Sequence, residues 1–300
     1  MNGSNNGVLS KVNACPRIRL SPAKVNLALH LIGRRSDGYH FIDTLVAFAD
    51  FGDWVTWRTG GSACLLEVKD CFNRSKPIPK NTANLAWQAL SIAGRISNFL
   101  LSGSLTVEKF LPSGAGIGGG SSNAATVMHL ILEDVNINKD SLYTKALMLG
   151  SDVPVCLAGC PTRVEGVGER LTTITLAKPL PVVMVWPGAS LSTASVFRYG
   201  KFNDYGNIPA RAIECLATDP LSAIASLRND LECISCCLLP AVRQAMFALQ
   251  NCSGCRVARM SGSGSVVVGY FENYCSANAA AKMLTFYSPS WWVRACTLLI

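Results

Sequence analysis

The sequence has no apolar run long enough to span a lipid bilayer, which requires about 20 residues. An uncharged window covers residues 110–132, but its first half consists largely of Gly, Ser and Pro, and its mostly apolar part, 124–132, is short. Residues 1–14 are polar and contain no apolar core of signal length. We therefore expect no membrane partner and a cytoplasmic protein, or one of the plastid stroma if the source is a plant or an alga.

The sequence is also poor in clustered charge. Its 27 Lys and Arg exceed its 19 Asp and Glu, which gives a net charge of +8, yet no run of five basic residues occurs. Nucleic-acid binding segments usually concentrate their positive charge, so we expect no nucleic-acid partner. A basic balance also suits an anionic small substrate, or simply a solvated surface. With 49% hydrophobic and 15% charged residues, the composition excludes a disordered chain.

Only three histidines are present, and none is near the four of the 13 cysteines that form CxxC spacings. Those spacings are Cys233/Cys236 and Cys252/Cys255. A zinc site is one interpretation. We favour the other, in which reduced cysteines serve as small hydrophobic residues in a reducing compartment. No protein-derived metal site is therefore predicted.

The length of the chain indicates two domains, because 300 residues exceed the size at which single cores usually stop growing. A boundary is expected near residues 175–180. The second half closes with strands at 255–260 and 266–271, a helix at 276–284 and a strand at 292–297. This order of elements is typical of an α+β sandwich.

A glycine-rich segment, LPSGAGIGGGSS at residues 111–122, lies between a predicted strand, 105–111, and a predicted helix. Glycine allows positive φ and close approach of the backbone to a ligand. A helix N-terminus also favours an anion, so the segment indicates a phosphate cradle, with Ser121 or Ser122 capping the helix. A flexible loop or a packing turn is the structural alternative.

This loop lacks the features of the two common nucleotide motifs. Gly114 and Gly119 match the spacing of a Walker loop, but Gly120 occupies the position of its lysine. A dinucleotide fingerprint requires an acidic residue about 20 positions further on, and Glu133 is too close. The pattern predicts a phosphate cradle whose cation comes from elsewhere in the chain.

Candidates for the remaining chemistry of phosphoryl transfer are Asp152 and Lys24. Asp152 lies on a turn beside apolar residues, where it could serve as a base, and Lys24 shares one face of a predicted strand, 24–32, with Asn26. A Lys–Asp pair could hold an acceptor hydroxyl and stabilise the developing alkoxide. Taken singly, each residue is better interpreted as structural, Asp152 as a capping Asp and Lys24 as a surface Lys.

Three segments together resemble the signature motifs of the GHMP kinases, in the order of that family. They read SPAKVNLALHL, LPSGAGIGGGSSNAA and ARMSGSGSVVVGYF, and they extend over residues 21–271. Three more segments, GRRSDGYH, LGSDVPV and EGVGERL, are similar to the branch that phosphorylates 4-diphosphocytidyl-2-C-methyl-D-erythritol in the non-mevalonate route to isoprenoid precursors. The resemblance implies an ATP-dependent small-molecule kinase with an alcohol acceptor.

The resemblance also implies a fold. The expected class is α+β, a two-domain GHMP kinase fold with a cleft between the domains. Residues 1–176 would form a ribosomal-protein-S5-like, ATP-binding domain that contains the glycine loop, 112–122. Residues 177–300 would form a ferredoxin-like domain on the side of the substrate.

For the site, the resemblance implies ATP and Mg²⁺ as cofactors and a substrate that carries a cytidine diphosphate. Asp152 would take the proton of the 2-hydroxyl, with Lys24 beside it. The ATP contacts would be Asn84, near the adenine, and the glycine loop: Pro112, Ser113, Gly114, Ala115, Gly116, Ile117, Gly118, Gly119, Gly120, Ser121 and Ser122. The substrate contacts would be Asn26, His40 on the cytosine edge, Tyr39 and Phe197 on its faces, and Gly262 and Ser263 from the second domain.

Other functions remain open at this point. The chain could phosphorylate another small alcohol of the homoserine or mevalonate class, or it could be a nucleotide-binding module without activity. Two departures from the family pattern, Val155 and Tyr199-Gly200, leave the contacts near Phe197 less defined. The sequence does not specify an oligomeric state.

Overall fold

The structure is a computed structural model. It describes residues 15–36, 38–71, 78–79, 81–97, 101–133, 135, 137–200, 202 and 206–300. The polar segment 1–14 and most of the connector predicted at 71–82 lie outside these ranges.

The first half of the chain contains six strands and four helices within the described residues. In chain order they are β1 (Arg17–Arg34), β2 (His40–Thr59), β3 (Cys64–Asp70), α1 (Leu85–Ser97), β4 (Gly103–Lys109), α2 (Gly119–Leu132), α3 (Lys139–Leu149), α4 (Val153–Ala158), β5 (Thr162–Gly166) and β6 (Arg170–Thr173).

The second half contains four strands and six helices within the described residues. They are β7 (Leu180–Trp186), α5 (Thr193–Tyr199), α6 (Ala210–Leu216), α7 (Pro220–Ser226), α8 (Glu232–Leu238), α9 (Pro240–Gln250), β8 (Cys255–Met260), β9 (Val267–Phe271), α10 (Tyr274–Tyr287) and β10 (Trp292–Leu298). The predicted α+β class is confirmed.

A long antiparallel hairpin of β1 and β2 forms the centre of the first half. The sequence predicted a strand at 24–32, whereas β1 begins at Arg17 and runs through Ser21-Pro22-Ala23. The pairing continues through the segment because the register shifts between Pro22 and Lys24 and again between Asn26 and Ala28. Such bulges absorb an extra residue without ending a strand. They determine which side chains of β1 face the site.

The strands are hydrogen-bonded in the order β3-β4-β2-β10-β7-β9-β8, with β1 and β5 also paired to β2. The strands of the first half meet those of the second half where β10 pairs with β2, at Leu298 and Ala49. The apolar run at 181–186 belongs to the buried strand β7, which lies antiparallel to both β10 and β9. The domain boundary at 176/177 stays a prediction.

Helices cover these strands and bury three apolar clusters. One cluster lies among β4, α1 and α2, one among β7, β9, α9 and α10, and one where the two halves meet. Among the described residues, no single helix has the length and apolar composition of a membrane span. The helices α8 and α9 meet that criterion only as a pair, and the pair is bent by 119°.

Candidate active site

The glycine loop has the backbone geometry that its composition predicts. Gly114, Gly116 and Gly118 have φ values of 67°, 80° and 66°, which disfavour any residue with a side chain. Helix α2 begins at Gly119, and Gly118 precedes it without a capping side chain. The first N–H groups of a helix have no partner within the helix, so they are available to an anion here.

The prediction that Ser121 or Ser122 caps helix α2 was wrong. Both residues lie inside the helix, which begins at Gly119. The buried hydroxyl of Ser122 accepts a hydrogen bond from Ser21 Oγ at 3.0 Å. Ser122 therefore ties the helix to β1, whereas Ser121 lines the cavity in front of the loop.

Lys24 lies against this loop. Its backbone N–H donates to the carbonyl of Ile117 at 2.9 Å. A Cβ atom at Gly118 would lie 2.9 Å from Lys24 Cβ, which is closer than such atoms approach. The absence of a side chain at 118 therefore allows the loop to pack on β1, and this contact places the lysine beside the loop.

The structure brings Lys24 and Asp152 together. Lys24 Nζ donates to Asp152 Oδ2 at 2.9 Å. The lysine side chain is 6% exposed and the aspartate side chain 47%, so the cation is enclosed and the carboxylate stays accessible. Asp152 directly precedes the buried helix α4, and its side chain caps no backbone group of that helix. Their predicted roles in catalysis stay predictions.

A cavity of about 400 Å³ lies in front of the glycine loop. Residues 112–121 line it, together with Asn84, Lys109 and Asp152. Asn84 lies at its rim, and its side chain is engaged in the fold: Oδ1 accepts from Ala86 N at 2.9 Å and Nδ2 donates to Pro79 O at 2.7 Å. Asn84 thus caps the N-terminus of α1.

Sequence reasoning missed Lys109, which lines this cavity. Its Nζ donates to Asp53 Oδ2 and, at 2.9 Å, to Asn123 Oδ1. Asp53 Oδ1 also accepts from the N–H groups of Phe110 and Leu111, at 2.8 and 2.9 Å. A charged residue at the end of an apolar strand, just before the glycine loop, is the signal that could have identified it. The ammonium group of Lys109 lies beneath the loop, where the carboxylate of Asp53 balances its charge.

The two small-residue loops of the sequence contact each other across the halves of the chain. Val266 N donates to Ala115 O at 3.0 Å, and Ser261 Oγ donates to Gly116 O at 3.3 Å. A Cβ atom at Gly116 would lie 2.4 Å from Gly264 O. The loop of residues 261–265 therefore forms one wall of the site, a contact that the sequence pattern alone does not predict.

A second cavity, of about 270 Å³, lies on the other side of Asp152, and we call it the acceptor cavity. Its lining includes residues of both halves that the sequence singled out: Lys24, Asn26, Asp152, Phe197, Gly262 and Ser263. Asp152 lines this cavity and also the cavity of the glycine loop. A phosphate held on the loop and a hydroxyl held in the acceptor cavity would therefore both reach its carboxylate.

A larger cavity of about 790 Å³ adjoins the acceptor cavity and shares Phe197 with it. Tyr39 and His40 also line it, and 70% of Tyr39 is exposed. The rings of His40 and Phe197 stack with centroids 5.0 Å apart, and Phe202, which the sequence did not identify, packs edge-on against His40. Burial, and then the charge of Arg34, lowers the pKa of His40, so the ring is neutral at pH 7.

No group of three His, Cys, Asp or Glu side chains that could hold a metal ion occurs within the described ranges. All thirteen cysteines are free thiols. Cys252 and Cys236 are buried, Cys255 is partly buried and Cys233 is exposed. Burial raises the pKa of Cys255 to about 11. The Cys255 thiol is therefore protonated at pH 7.

Comparisons with known proteins agree with this geometry. The family model for the N-terminal domain of GHMP kinases matches residues 84–160. A relative from Dinoroseobacter shibae is 37% identical over 94% of this chain and 95% of its own length. Another, from Cereibacter sphaeroides, is 39% identical over 91% and 95%. Both are named 4-diphosphocytidyl-2-C-methyl-D-erythritol kinase.

Solved structures extend the agreement to the whole fold. A crystal structure of 4-(cytidine 5′-diphospho)-2C-methyl-D-erythritol kinase has a TM-score of 0.78 and 32% identity, over 94% of this chain and 99% of that chain. Homoserine kinase from Cytophaga hutchinsonii has a TM-score of 0.72 over 98% of both chains, but at 13% identity it shows the fold alone. The expected GHMP kinase fold is confirmed, and the chain belongs to the GHMP kinases, in their 4-diphosphocytidyl-2-C-methyl-D-erythritol kinase family.

Proposed function

We propose that this ATP-dependent kinase transfers the γ-phosphoryl group of ATP to the 2-hydroxyl of 4-diphosphocytidyl-2-C-methyl-D-erythritol. The observation that carries the proposal is the Lys24–Asp152 pair at 2.9 Å, placed where the cavity of the glycine loop meets the acceptor cavity. Relatives that bear the name of this activity match more than nine-tenths of the chain.

Asp152 is the proposed base. Its carboxylate is accessible, and it lines both cavities, so it can accept the proton of the hydroxyl as the oxygen attacks phosphorus. Lys24 is enclosed and cannot move far from the carboxylate. Its charge would stabilise the alkoxide and the equatorial oxygens of the phosphoryl group as negative charge develops on them.

The glycine loop is the proposed site of the ATP phosphates. Three glycines with positive φ expose backbone at the start of helix α2, where free N–H groups and the helix dipole favour an anion. The ammonium group of Lys109 lies beneath them, paired with Asp53. Mg²⁺ binds through phosphate oxygens, water and few protein oxygens. The hydroxyl of Ser121, on this cavity, fits such a site and would help to hold a cation that neutralises phosphate charge.

The larger cavity is the proposed site of the cytidine. Its aromatic side chains offer faces on which a base can stack, which is worth about 1–3 kcal/mol per base. Tyr39 lies exposed at this cavity, and His40 and Phe197 form one stacked pair within it. Neutral His40 can exchange hydrogen bonds with the polar edge of cytosine.

A panel of acceptors tests the proposal. The purified chain with ATP and Mg²⁺ is offered 4-diphosphocytidyl-2-C-methyl-D-erythritol, homoserine and mevalonate, and ADP release is measured. We expect the highest kcat/KM with the cytidine compound, with the new phosphate bonded to its 2-hydroxyl in the ³¹P NMR spectrum. A preference for homoserine or mevalonate would assign the chain to another alcohol. If all three acceptors give ADP no faster than ATP is hydrolysed without an acceptor, the chain is a nucleotide-binding module.

A further inference from the structure

The side-chain oxygen of Asn26 is a buried acceptor on the wall of the acceptor cavity. The residue is 4% exposed and lines that cavity. Within the part of the chain that the structure describes, Asn26 Oδ1 has no hydrogen-bond partner. A buried acceptor without a donor is costly, and native proteins keep few of them. This atom therefore points to a ligand that brings a donor.

The orientation of this carboxamide is determined by Thr44. The Thr44 hydroxyl has one proton and donates it to the carbonyl oxygen of Ala28, which can only accept. Towards Asn26 the hydroxyl can then act only as an acceptor. It accepts a hydrogen bond from Asn26 Nδ2 at 2.8 Å. The amide group of Asn26 must therefore face Thr44, and its oxygen must face away from it.

The oxygen faces Gly262, which belongs to the small-residue loop of the second half. A Cβ atom at position 262 would lie 3.2 Å from Asn26 Oδ1, and Gly262 has a φ of 57°. Both residues line the cavity that also contains Lys24 and Asp152. A hydroxyl that enters between Asn26 and Gly262 would supply the missing donor next to the catalytic pair.

We propose that Thr44 is a positioning residue for the alcohol substrate. Through Ala28 it holds the Asn26 carboxamide with the oxygen towards the acceptor cavity, where that oxygen accepts a hydrogen bond from a hydroxyl of the substrate. The identity of the alcohol rests on the proposed function. The orientation of the amide rests only on the hydrogen bonds of Ala28, Thr44 and Asn26.

The orientation is tested on the full chain without any substrate. The side-chain amide of Asn26 is observed by NMR in protein labelled with ¹⁵N-asparagine and is assigned from its loss in Asn26→Asp. We expect one amide proton downfield of the other in the wild type and in Thr44→Ser, because it is bonded to the hydroxyl oxygen. In Thr44→Val this difference should shrink. An unchanged spectrum in folded Thr44→Val would overturn the orientation.

The effect on the substrate is tested by a double-mutant cycle, read as the Kd of the cytidine compound and the separate Kd of ATP. Thr44→Val should weaken binding of the alcohol about tenfold, Thr44→Ser should restore it, and the Kd of ATP should not move. In an Asn26→Ala background, Thr44→Val should not weaken binding of the cytidine compound any further. A residue that acts through another has no effect once that other is removed. A full additive loss would show that Thr44 acts by packing, and would contradict the proposal.

Failure of the proposed function gives a different result. If the wild type binds no cytidine compound while the amide spectrum responds to Thr44→Val as expected, the substrate is wrong and the orientation of Asn26 stands. If Thr44→Val does not fold, Thr44→Ala takes its place in both experiments. That variant removes the same hydroxyl, and the same outcomes apply.

Discussion

At the scale of residues, Tyr39 tests the cytidine site. Tyr39 is 70% exposed and lines the cavity of about 790 Å³, where its ring offers an accessible face to a base. We expect Tyr39→Ala to raise the KM of the cytidine compound about tenfold, because stacking of a base on an aromatic ring contributes about 1–3 kcal/mol. The kcat and the KM of ATP should change little, because the ring lies away from the glycine loop.

Steady-state kinetics with both substrates measures this effect. Tyr274→Ala is the matched control, since Tyr274 is 49% exposed at the start of α10 and lines none of the three cavities of the site. Equal KM values for the two variants would remove Tyr39 from the substrate site.

The sequence identified some residues of this site and missed others, for physical reasons. Lys24, Asn26 and Asp152 carry chemistry and stand inside recognisable motifs, so their proximity could be expected. Lys109 and Asp53 form a buried pair across two strands. Strand pairing brings them together, and pairing cannot be read from local periodicity.

At the scale of elements, the start of helix α2 depends on a close contact. Gly118 has a φ of 66°, and a Cβ atom there would meet Lys24 Cβ at 2.9 Å. We expect Gly118→Ala to lower kcat at least tenfold, because relief of the clash displaces either the loop or Lys24. It should also destabilise the fold by more than the ~1 kcal/mol that a side chain at positive φ usually costs.

Gly206→Ala is the matched control for this variant. Gly206 has a φ of 75°, and a Cβ atom there would have no neighbour within 4 Å, so only the backbone cost remains. Denaturant unfolding and turnover are measured for both proteins. If Gly118→Ala resembles Gly206→Ala in stability and retains full turnover, the contact with Lys24 does not matter.

The elements that sequence analysis missed share a physical cause. Helices α5, α6 and α8 have seven residues each, and two turns give too few positions to establish a helical period. The first strand extends beyond the predicted 24–32 to Arg17, because a shift in register accommodates Pro22. By contrast, the long helix α2 has a clear pattern, and it was predicted near its observed position.

At the scale of the whole molecule, Arg259 joins the two halves of the chain. It is 8% exposed on β8, and its Nη1 donates to Leu27 O of β1 at 3.2 Å and to Ile224 O of α7 at 2.6 Å. Its Nη2 donates to Leu227 O. Hydrogen bonds from charged groups contribute about 1.5–3 kcal/mol each, so Arg259→Met should lower the free energy of unfolding by roughly 3 kcal/mol.

Arg256 supplies the control on the same strand. Its ion pair with Glu272 is about half exposed on both sides, and such surface pairs contribute about 0–1 kcal/mol. Arg256→Met should therefore change the free energy of unfolding by less than 1 kcal/mol. Similar losses for the two variants in urea unfolding would show that Arg259 does not join the halves.

The stability of the whole molecule should also depend on pH through its histidines, His30 and His129 as well as His40. Burial lowers the pKa of His30 and of His129 below the usual 6.5. In the unfolded chain both rings protonate near pH 6.5, whereas in the fold they stay neutral to lower pH. The unfolded state then binds more protons, so the free energy of unfolding falls as the pH drops from 7 to 5.5.

Urea unfolding at pH 7.5, 6.5 and 5.5 measures this dependence. The wild type should lose stability at each step downward, by at most about 1.4 kcal/mol per pH unit for each proton taken up. The variant His129→Gln should show a shallower slope. Stability that rises on acidification to pH 5.5 would contradict the burial of neutral histidines.

The central claim, that Lys24 and Asp152 form the catalytic pair of an ATP-dependent kinase, is tested most directly by turnover of Asp152→Asn. The control is Asp140→Asn, which changes an exposed aspartate in the first turn of α3. With ATP, Mg²⁺ and 4-diphosphocytidyl-2-C-methyl-D-erythritol, kcat of Asp152→Asn should fall about 10²- to 10⁴-fold, the usual contribution of a general base. Its affinity for ATP should be retained, and Asp140→Asn should match the wild type. Near-wild-type turnover of Asp152→Asn would contradict the assignment of the base.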